Sequence, residues 1–185
     1  MLLTQLRRAV VLAVIAFVFV FVYALVGTGL SQLLFKDQAS GSITANGSTM
    51  IGQSWSGTKW FHGRPDSDDP LSANGTAGES GATNLGPRSK TLVVDTRKLI
   101  EAWHKVGVNP TSDLVTTSGS GLDPDISPEA ALFQVPRVAK ARSLPEEAVR
   151  QLVVANTQGR LAGILGEPRV NVLALNLAVD RAASK

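Results

Sequence analysis

The sequence predicts an α+β protein, in which one N-terminal transmembrane helix precedes a single extracytoplasmic domain of mixed helices and strands. Three observations support this prediction. The chain carries no charge from Ala9 to Leu30. After Pro87, apolar residues recur with helical spacing in three successive segments. Large apolar residues then alternate from Val170 to Val179, as they do in a strand buried on both faces.

The uncharged run is long enough to span a bilayer. As an α-helix it measures about 33 Å, and a hydrocarbon core measures about 30 Å. A cleavable signal peptide is the alternative, because Gly27-Thr28-Gly29 offers a small-x-small cleavage site. The apolar core of such a peptide is normally only about 7 to 15 residues, which favours the anchor.

The charges that flank the run predict its orientation. Arg7 and Arg8 precede it, whereas Lys36 on the other side is followed at once by Asp37. The basic excess therefore favours a cytoplasmic N-terminus. We predict a short cytoplasmic segment over 1–8, a transmembrane helix over 9–34 and an extracytoplasmic domain over 35–185.

Composition excludes several classes of function. The chain has no cysteine, so thiolate catalysis, disulfides and Cys-ligated metal sites are ruled out. A net charge of +3 is small for 185 residues and is not gathered into a basic tract, so nucleic acid is not an expected partner. About 150 residues after the span suffice for one domain with a hydrophobic core.

The segment after the span is rich in turn-forming residues. Residues 38–83 abound in Gly, Ser, Asn and Asp and contain the dipeptides Asn46-Gly47 and Asn74-Gly75. This composition predicts short strands joined by long loops.

The first predicted helix follows Pro87 and ends at Gly107. Its apolar stripe consists of Leu92, Val93, Leu99, Ile100, Trp103 and Val106.

The second predicted helix begins at Ser127. This residue is a suitable N-cap, Pro128 suits the first helical position, and Glu129 suits the positive end of the helix dipole. Pro136 is expected to kink or restart this helix.

The third predicted helix begins with the Ser-x-x-Glu pattern of a capping box, at Ser143 to Glu146. It is expected to end near Gly159, before the closing strand over residues 170–179.

A Gly-rich turn brings three carboxylates close together. Asp123, Asp125 and Glu129 follow Gly119 and Gly121, and carboxylates suit a hard cation such as Ca²⁺. The spacing departs from an EF-hand loop, because no Gly lies between the acids and no Glu stands at the twelfth position. Ordinary turn and cap roles are the alternative, since Asp and Ser are common before Pro in turns.

No catalytic constellation is evident in the sequence. The Gly-rich turn lacks the Lys-Ser/Thr ending of a P-loop, and Ser118 is not part of a G-x-S-x-G elbow. His62 lies in a predicted turn and His104 on a charged helix face, where structural or surface roles are common. We therefore expect no active site and no bound cofactor on this chain.

Several blocks of sequence resemble a known family. The blocks, in chain order, are Gly47-Ser48, Ile51-Gly52-Gln53, Phe61-His62-Gly63-Arg64-Pro65, Asn84-Leu85-Gly86-Pro87, Ser118 to Glu129, Gln134-Val135-Pro136-Arg137-Val138-Ala139 and Gly163 to Asp180. Together with the single N-terminal span, they resemble the KdpC subunits of the bacterial potassium-transporting Kdp ATPases. The resemblance covers the whole chain.

The resemblance implies an accessory, non-catalytic subunit of an ATP-driven potassium-uptake complex in the bacterial inner membrane. The implied partners are a channel-like KdpA, a P-type KdpB and a small KdpF, together with the lipid bilayer. The complex would use ATP, magnesium and potassium. Its catalytic Asp would belong to another chain, because the P-type motif Asp-Lys-Thr-Gly-Thr does not occur in this one. The family is also described as a chaperone that raises the ATP affinity of KdpB. From an outer domain, such an effect would have to be indirect.

Two positions depart from the pattern that the resemblance leads us to expect. Asp125 stands in place of a histidine and Asp66 in place of a serine, and both changes add negative charge.

Arg64 and Arg169 carry forked donors that suit an interface or a clamp on carboxylates and loop carbonyls. The interface or structural candidates are Gln53, His62, Arg64, Asn84, Asp123, Glu129, Arg137, Arg169 and Asn171. The alternative function is a stand-alone, membrane-anchored cation-binding or interaction protein.

Overall fold

A long apolar helix opens the chain. In the computed structural model, α1 covers Leu2–Leu34 and a single turn, α2, covers Lys36–Ala39. The 33 residues of α1 measure about 50 Å, and no side chain of this helix is buried. Among the described residues, α1 is the one helix that is long and apolar enough to cross a membrane.

The structure describes residues 1–65 and 80–184. The chain divides into two compact units, Met1–Ile43 and Thr44–Lys185. The turn predicted at Asn74-Gly75 and the departure at Asp66 lie outside the described residues.

The described residues after α2 form four α-helices and several short strands, which confirms the α+β class. In order, the elements are β1 (Ile43–Thr44), β2 (Gly47–Ser48), α3 (Lys90–Lys105), a 3₁₀ turn (Ser112–Leu114), β3 (Asp125–Ile126), α4 (Pro128–Arg142), α5 (Glu146–Ala155), β4 (Thr157–Gln158), β5 (Arg169–Asn171) and α6 (Val172–Ala183). Ala45 and Asn46 form the turn between β1 and β2, one residue before the predicted Asn46-Gly47 dipeptide.

A three-stranded antiparallel sheet has β5 at its centre, between β3 and β4. Asp125 pairs with Asn171 on one side of β5, and Gln158 pairs with Arg169 on the other. Helix α5 packs against both α4 and α6. The hydrophobic core includes Phe61, Trp103, Leu114, Val135, Val138, Val153, Val170 and Leu175.

Side-chain caps explain where three of the helices begin. The hydroxyl oxygens of Ser89 and Ser127 accept hydrogen bonds from backbone N–H groups in the first turns of α3 and α4. Asn171 caps α6 in the same way. Each cap satisfies a donor that has no intrahelical partner. The predicted start at Ser127, with Pro128 in the first turn, is confirmed.

The strand predicted over residues 170–179 is wrong beyond its first residues. β5 ends at Asn171, and α6 continues the chain from Val172. The buried positions Val172, Leu175, Asn176 and Val179 follow the helical spacing i, i+3, i+4, i+7. The run of Leu and Ala, which have high helix propensity, fits both periods, and the cap at Asn171 favours the helix.

The boundary between α4 and α5 also differs from the prediction. α4 runs through Pro136 and ends at Arg142, and its C-cap, Ser143, adopts a left-handed conformation with φ of 54°. Ser143 therefore terminates α4 and does not cap α5, whose N-cap is Pro145. α5 ends at Ala155, because the chain then enters β4.

Helix α3 is confirmed, but its apolar stripe is narrower than predicted. Leu99 and Trp103 are buried, whereas Val93 is exposed. The indole N–H of Trp103 donates to the carbonyl of Leu114 at 2.9 Å, which ties α3 to the 3₁₀ turn.

Candidate functional site

A charged cleft of about 490 Å³ lies beside the three-stranded sheet. β3 contributes Asp125 and β5 contributes Arg169. The other charged residues that line it are Arg64, Asp113, Asp123, Glu129 and Glu167. Five of the predicted candidate positions, including Asp125, therefore come together in this one cleft.

Two arginines bridge the walls of the cleft. The Nη1 atom of Arg64 lies 3.2 Å from Oδ2 of Asp123, and its Nη2 donates to the carbonyl of Thr117 at 3.0 Å. The Nε atom of Arg169 lies 2.9 Å from Oδ2 of Asp125. The guanidinium of Arg64 therefore ties loop segments together, and that of Arg169 links β5 to β3, a clamping role that forked donors favour.

The predicted cation ligands share the cleft, but two of the three are engaged in ion pairs. Asp123 and Asp125 each face an arginine, and Glu129 is exposed in the first turn of α4. Within residues 1–65 and 80–184, no three His, Asp or Glu side chains are grouped as a metal ion would require.

Asn171 connects three chain segments and contacts one cleft residue, Asp125. Its Nδ2 donates to the carbonyl of Thr49 at 3.0 Å and to Oδ1 of Asp125 at 3.2 Å, while its Oδ1 caps α6. Burial raises the pKa of Asp125 above its usual 3.8, although the hydrogen bond from Asn171 and the charge of Arg169 act in the opposite direction. The nearby charge of Asp123 adds to the increase.

Asp113 joins the 3₁₀ turn to the start of α4. Its Oδ2 accepts from the backbone N–H of Ser127 at 2.8 Å, and its Oδ1 accepts from the hydroxyl of Thr111. Burial acts to raise the pKa of Asp113, but these hydrogen bonds to the ionised form outweigh it, and the pKa falls below 3.8. The carboxylate is thus a structural acceptor at neutral pH.

The lowered pKa of Asp113 predicts a pH-dependent contribution to stability. This contribution is present above the unfolded-state pKa and is lost as pH falls through the lower folded-state pKa. We expect Asp113→Asn to lower the free energy of unfolding by about 1 kcal/mol at pH 7, a value reduced for partial exposure. The difference from the parent chain should narrow below about pH 4. Urea unfolding at several pH values measures it.

The matched control is Glu101→Gln, which removes an exposed carboxylate from α3. Its effect should stay within about 0.5 kcal/mol at every pH. A difference for Asp113→Asn that does not change between pH 7 and pH 3 would contradict the assignment.

A second cluster lies in the core and holds residues 58–62 in place. Asn176 of α6 accepts from the backbone N–H of Phe61 at 2.8 Å and donates to the carbonyl of the same residue at 2.9 Å. Gln134 of α4 makes the same pair of bonds with His62, at 2.9 and 3.0 Å. The two amides bind this segment as a neighbouring strand would.

Arg137 completes this cluster, which we call the loop clamp (Gln134, Arg137 and Asn176). Its guanidinium donates to the carbonyls of Thr58 and Trp60 at 2.7 and 2.9 Å, and to Oε1 of Gln134 at 2.7 Å. Burial lowers the pKa of Arg137 to about 10, so the group remains charged at neutral pH. The charge is balanced by carbonyl dipoles, which suits a structural role.

The remaining predicted residues lie apart from the cleft walls. His62 is buried, with its Nε2 2.9 Å from the carbonyl of Gly57 and its ring edge-on to Trp103. The Nε2 of Gln53 donates to the carbonyls of Ser48 and Ile51. Asn84 is an exposed loop residue with φ of 55°.

Sequence reasoning missed Asp113, Glu167 and Gln134 as candidate residues. A signal for Gln134 exists, because a polar residue on the apolar face of α4 must find a partner. No comparable signal marks Asp113 or Glu167, which reach the cleft only through the tertiary fold.

Comparison with known proteins finds consistent similarity. A family model described as KdpC, K⁺-transporting ATPase, c chain, matches residues 5–181. A protein of Bradyrhizobium diazoefficiens is 52% identical over 99% of this chain and 100% of its own length. Proteins of Methylobacterium nodulans (52%, 88% of this chain and 89% of that protein) and Rhodopseudomonas palustris (50%, 99% and 100%) are similar as well. Each is named potassium-transporting ATPase KdpC subunit.

Proposed function

Because the chain belongs to the KdpC family of K⁺-transporting ATPase c chains, we propose that it is the accessory, non-catalytic subunit of an ATP-driven potassium-uptake complex. Its role is to assemble and stabilise the channel-like and P-type subunits. The observation that supports this most is the state of the charged cleft, where Asp123 and Asp125 face arginines and Asp113 accepts hydrogen bonds from the fold itself. These groups hold loops, strands and a helix start together, which favours a rigid docking module.

The proposed setting follows from α1 and its flanks. The helix anchors the chain in the inner membrane, with the short basic N-terminus in the cytoplasm and the domain outside. The proposed partners are KdpA, KdpB and KdpF, and the complex, not this chain alone, uses ATP, magnesium and potassium. An outer domain suits a place at the potassium entrance.

A chaperone effect on ATP binding by the P-type subunit is included in the proposal as an indirect effect. With the domain outside and ATP inside, coupling would have to pass through α1 or through a conformational equilibrium of the complex that the outer domain biases. Differential affinity for two states of the complex is the physical requirement.

Purification through a C-terminal tag tests the proposal. When the full set of Kdp subunits is co-expressed, we expect the channel-like and P-type chains to be recovered with this chain and identified by mass spectrometry. The chain purified alone should show no ATP hydrolysis above the detergent blank. ATP turnover by the isolated chain, or its recovery without partners, would contradict the proposal.

A stand-alone cation-binding protein is the second candidate. The observation that favours it is the excess of acid in the cleft, where five carboxylates face two guanidinium groups. Calorimetric titration of the full chain in detergent with Ca²⁺ separates the two functions. Saturable heat that disappears in Asp123→Asn would support the cation-binding protein, and a flat titration would leave it without a ligand.

A further inference from the structure

The hairpin that joins β4 to β5 ends in an exposed apolar tip, formed by Leu161, Ile164 and Leu165. These side chains are 73%, 77% and 59% exposed. Leu161 and Leu165 pair across the turn and Ile164 lies within it, so one short turn carries three exposed aliphatic side chains. Exposed apolar clusters mark interaction sites.

The apolar tip is held in one conformation by its own backbone. Leu161 and Leu165 exchange two backbone hydrogen bonds, at 2.8 and 3.0 Å. Ala162 and Gly163 between them both have positive φ, as the central residues of a type I′ hairpin turn do. At the base of the tip, Arg160 binds both carboxylate oxygens of Glu167. A preformed tip loses little conformational entropy when it binds.

The charges beside the tip decide what kind of partner it fits. Glu167, Pro168 and Arg169 leave the base of the tip and line the charged cleft. The apolar tip is therefore continuous with a surface on which five carboxylates face two guanidinium groups. Such a surface is repelled by anionic lipid headgroups and is attracted to basic side chains.

The composition of the tip also argues against a lipid surface. Residues 159–168 contain no Trp, Tyr, Phe or Lys, and their one basic residue, Arg160, is held by Glu167. The turn therefore lacks the aromatic and free basic side chains that anchor a segment at a membrane interface. A neutral aliphatic turn of fixed shape is better matched by a protein pocket.

We propose that the apolar tip (Leu161, Ile164 and Leu165) inserts into an apolar pocket on a partner subunit of the transport complex, and that basic residues on the rim of that pocket face the charged cleft. This inference rests on the proposed function, because it requires a partner subunit. It identifies the part of the domain that makes the contact.

Single-cysteine labelling tests the inference, since the parent chain has no cysteine. The rate of maleimide labelling of Ile164→Cys is measured on the full chain alone in detergent, on the chain alone in phosphatidylglycerol–phosphatidylcholine vesicles, and in the purified complex. Val94→Cys on α3 is the matched control, because Val94 is an aliphatic residue 49% exposed on another element. Labelling is quantified on the band of this chain only.

We expect labelling of Ile164→Cys to be at least about tenfold slower in the complex than for the chain in detergent, and labelling of Val94→Cys to be unchanged within about twofold. In the vesicles, both variants should label as fast as in detergent. Equal rates for Ile164→Cys in the complex and alone would overturn the docking surface and leave the accessory function standing. Protection in vesicles without partners would replace the protein pocket with lipid. If no partner subunit co-purifies with this chain, both proposals are overturned.

A charge substitution gives a second readout. Ile164→Asp should reduce recovery of the partner subunits about tenfold, because a carboxylate would have to enter the apolar pocket. Val94→Asp should leave recovery unchanged. Both substitutions are at exposed positions, and urea unfolding of each chain alone checks that the domain is intact. Full recovery of partners with Ile164→Asp would contradict the inference.

Discussion

Replacing Arg137 with alanine should lower the free energy of unfolding of the domain by about 4 kcal/mol. The substitution removes one buried hydrogen bond, to Gln134, and two partly buried ones, so that the carbonyls of Thr58 and Trp60 lose their donor. It also removes the guanidinium that lies 5.7 Å from the ring of Trp103. Because Oε1 of Gln134 is buried and the two carbonyls are partly shielded, water does not fully replace the lost donor.

Tryptophan fluorescence in urea is a suitable measurement for this variant. All three tryptophans, at positions 55, 60 and 103, lie in the unit after α1 and α2, so the signal reports the unfolding of that unit even in detergent. Arg97→Ala on the exposed side of α3 is the matched control and should change stability by less than about 0.5 kcal/mol. A loss below about 1 kcal/mol for Arg137→Ala would show that water replaces the guanidinium.

Replacing Asn176 with alanine should cost about 3 kcal/mol. Both backbone groups of Phe61 lose their partner in a position where neither Phe61 nor Asn176 is exposed. Asn176→Asp should be no better, because a buried carboxylate can accept from the N–H of Phe61 but cannot donate to its carbonyl.

Hydrogen exchange localises this effect. The amide of Phe61 should lose protection in Asn176→Ala to a greater extent than global destabilisation explains, while the amide of His62, held by Gln134, serves as the internal comparison. Asn156→Ala, which removes a partly buried bond at the end of α5, should cost less than about 1 kcal/mol. Equal exchange at Phe61 and His62 in both variants would indicate that the loop clamp opens only as a whole.

Local chemistry made parts of this fold predictable from sequence. The apolar run that forms α1 and the Ser127-Pro128 start of α4 each depend on neighbours within a few residues. The segment after Asn171 was ambiguous, since its Leu and Ala residues fit a period of two as well as a period of 3.6. Ser143 was misread because its conformation is set by the end of α4, whose last carbonyls accept from the N–H groups of Ser143 and Leu144.

The cleft was predictable only in part. Asp123, Asp125 and Glu129 are close in sequence and stay close in space. Glu167 arrives from the β4–β5 hairpin and Asp113 from the 3₁₀ turn, and no local pattern places them there. The family resemblance drew attention to Arg64 and Arg169, but their carboxylate partners are visible only in the structure.

The loop clamp also sets the order in which parts of the domain can fold during synthesis. Phe61 and Asn176 are 115 residues apart, and ribosomes add about 5 to 20 residues per second. At that rate, roughly 6 to 23 seconds separate the synthesis of Phe61 from that of Asn176, which completes the hydrogen bonds of Phe61. During this interval Phe61 lacks its final partner, so the core around Phe61 closes only after α6 has been synthesised.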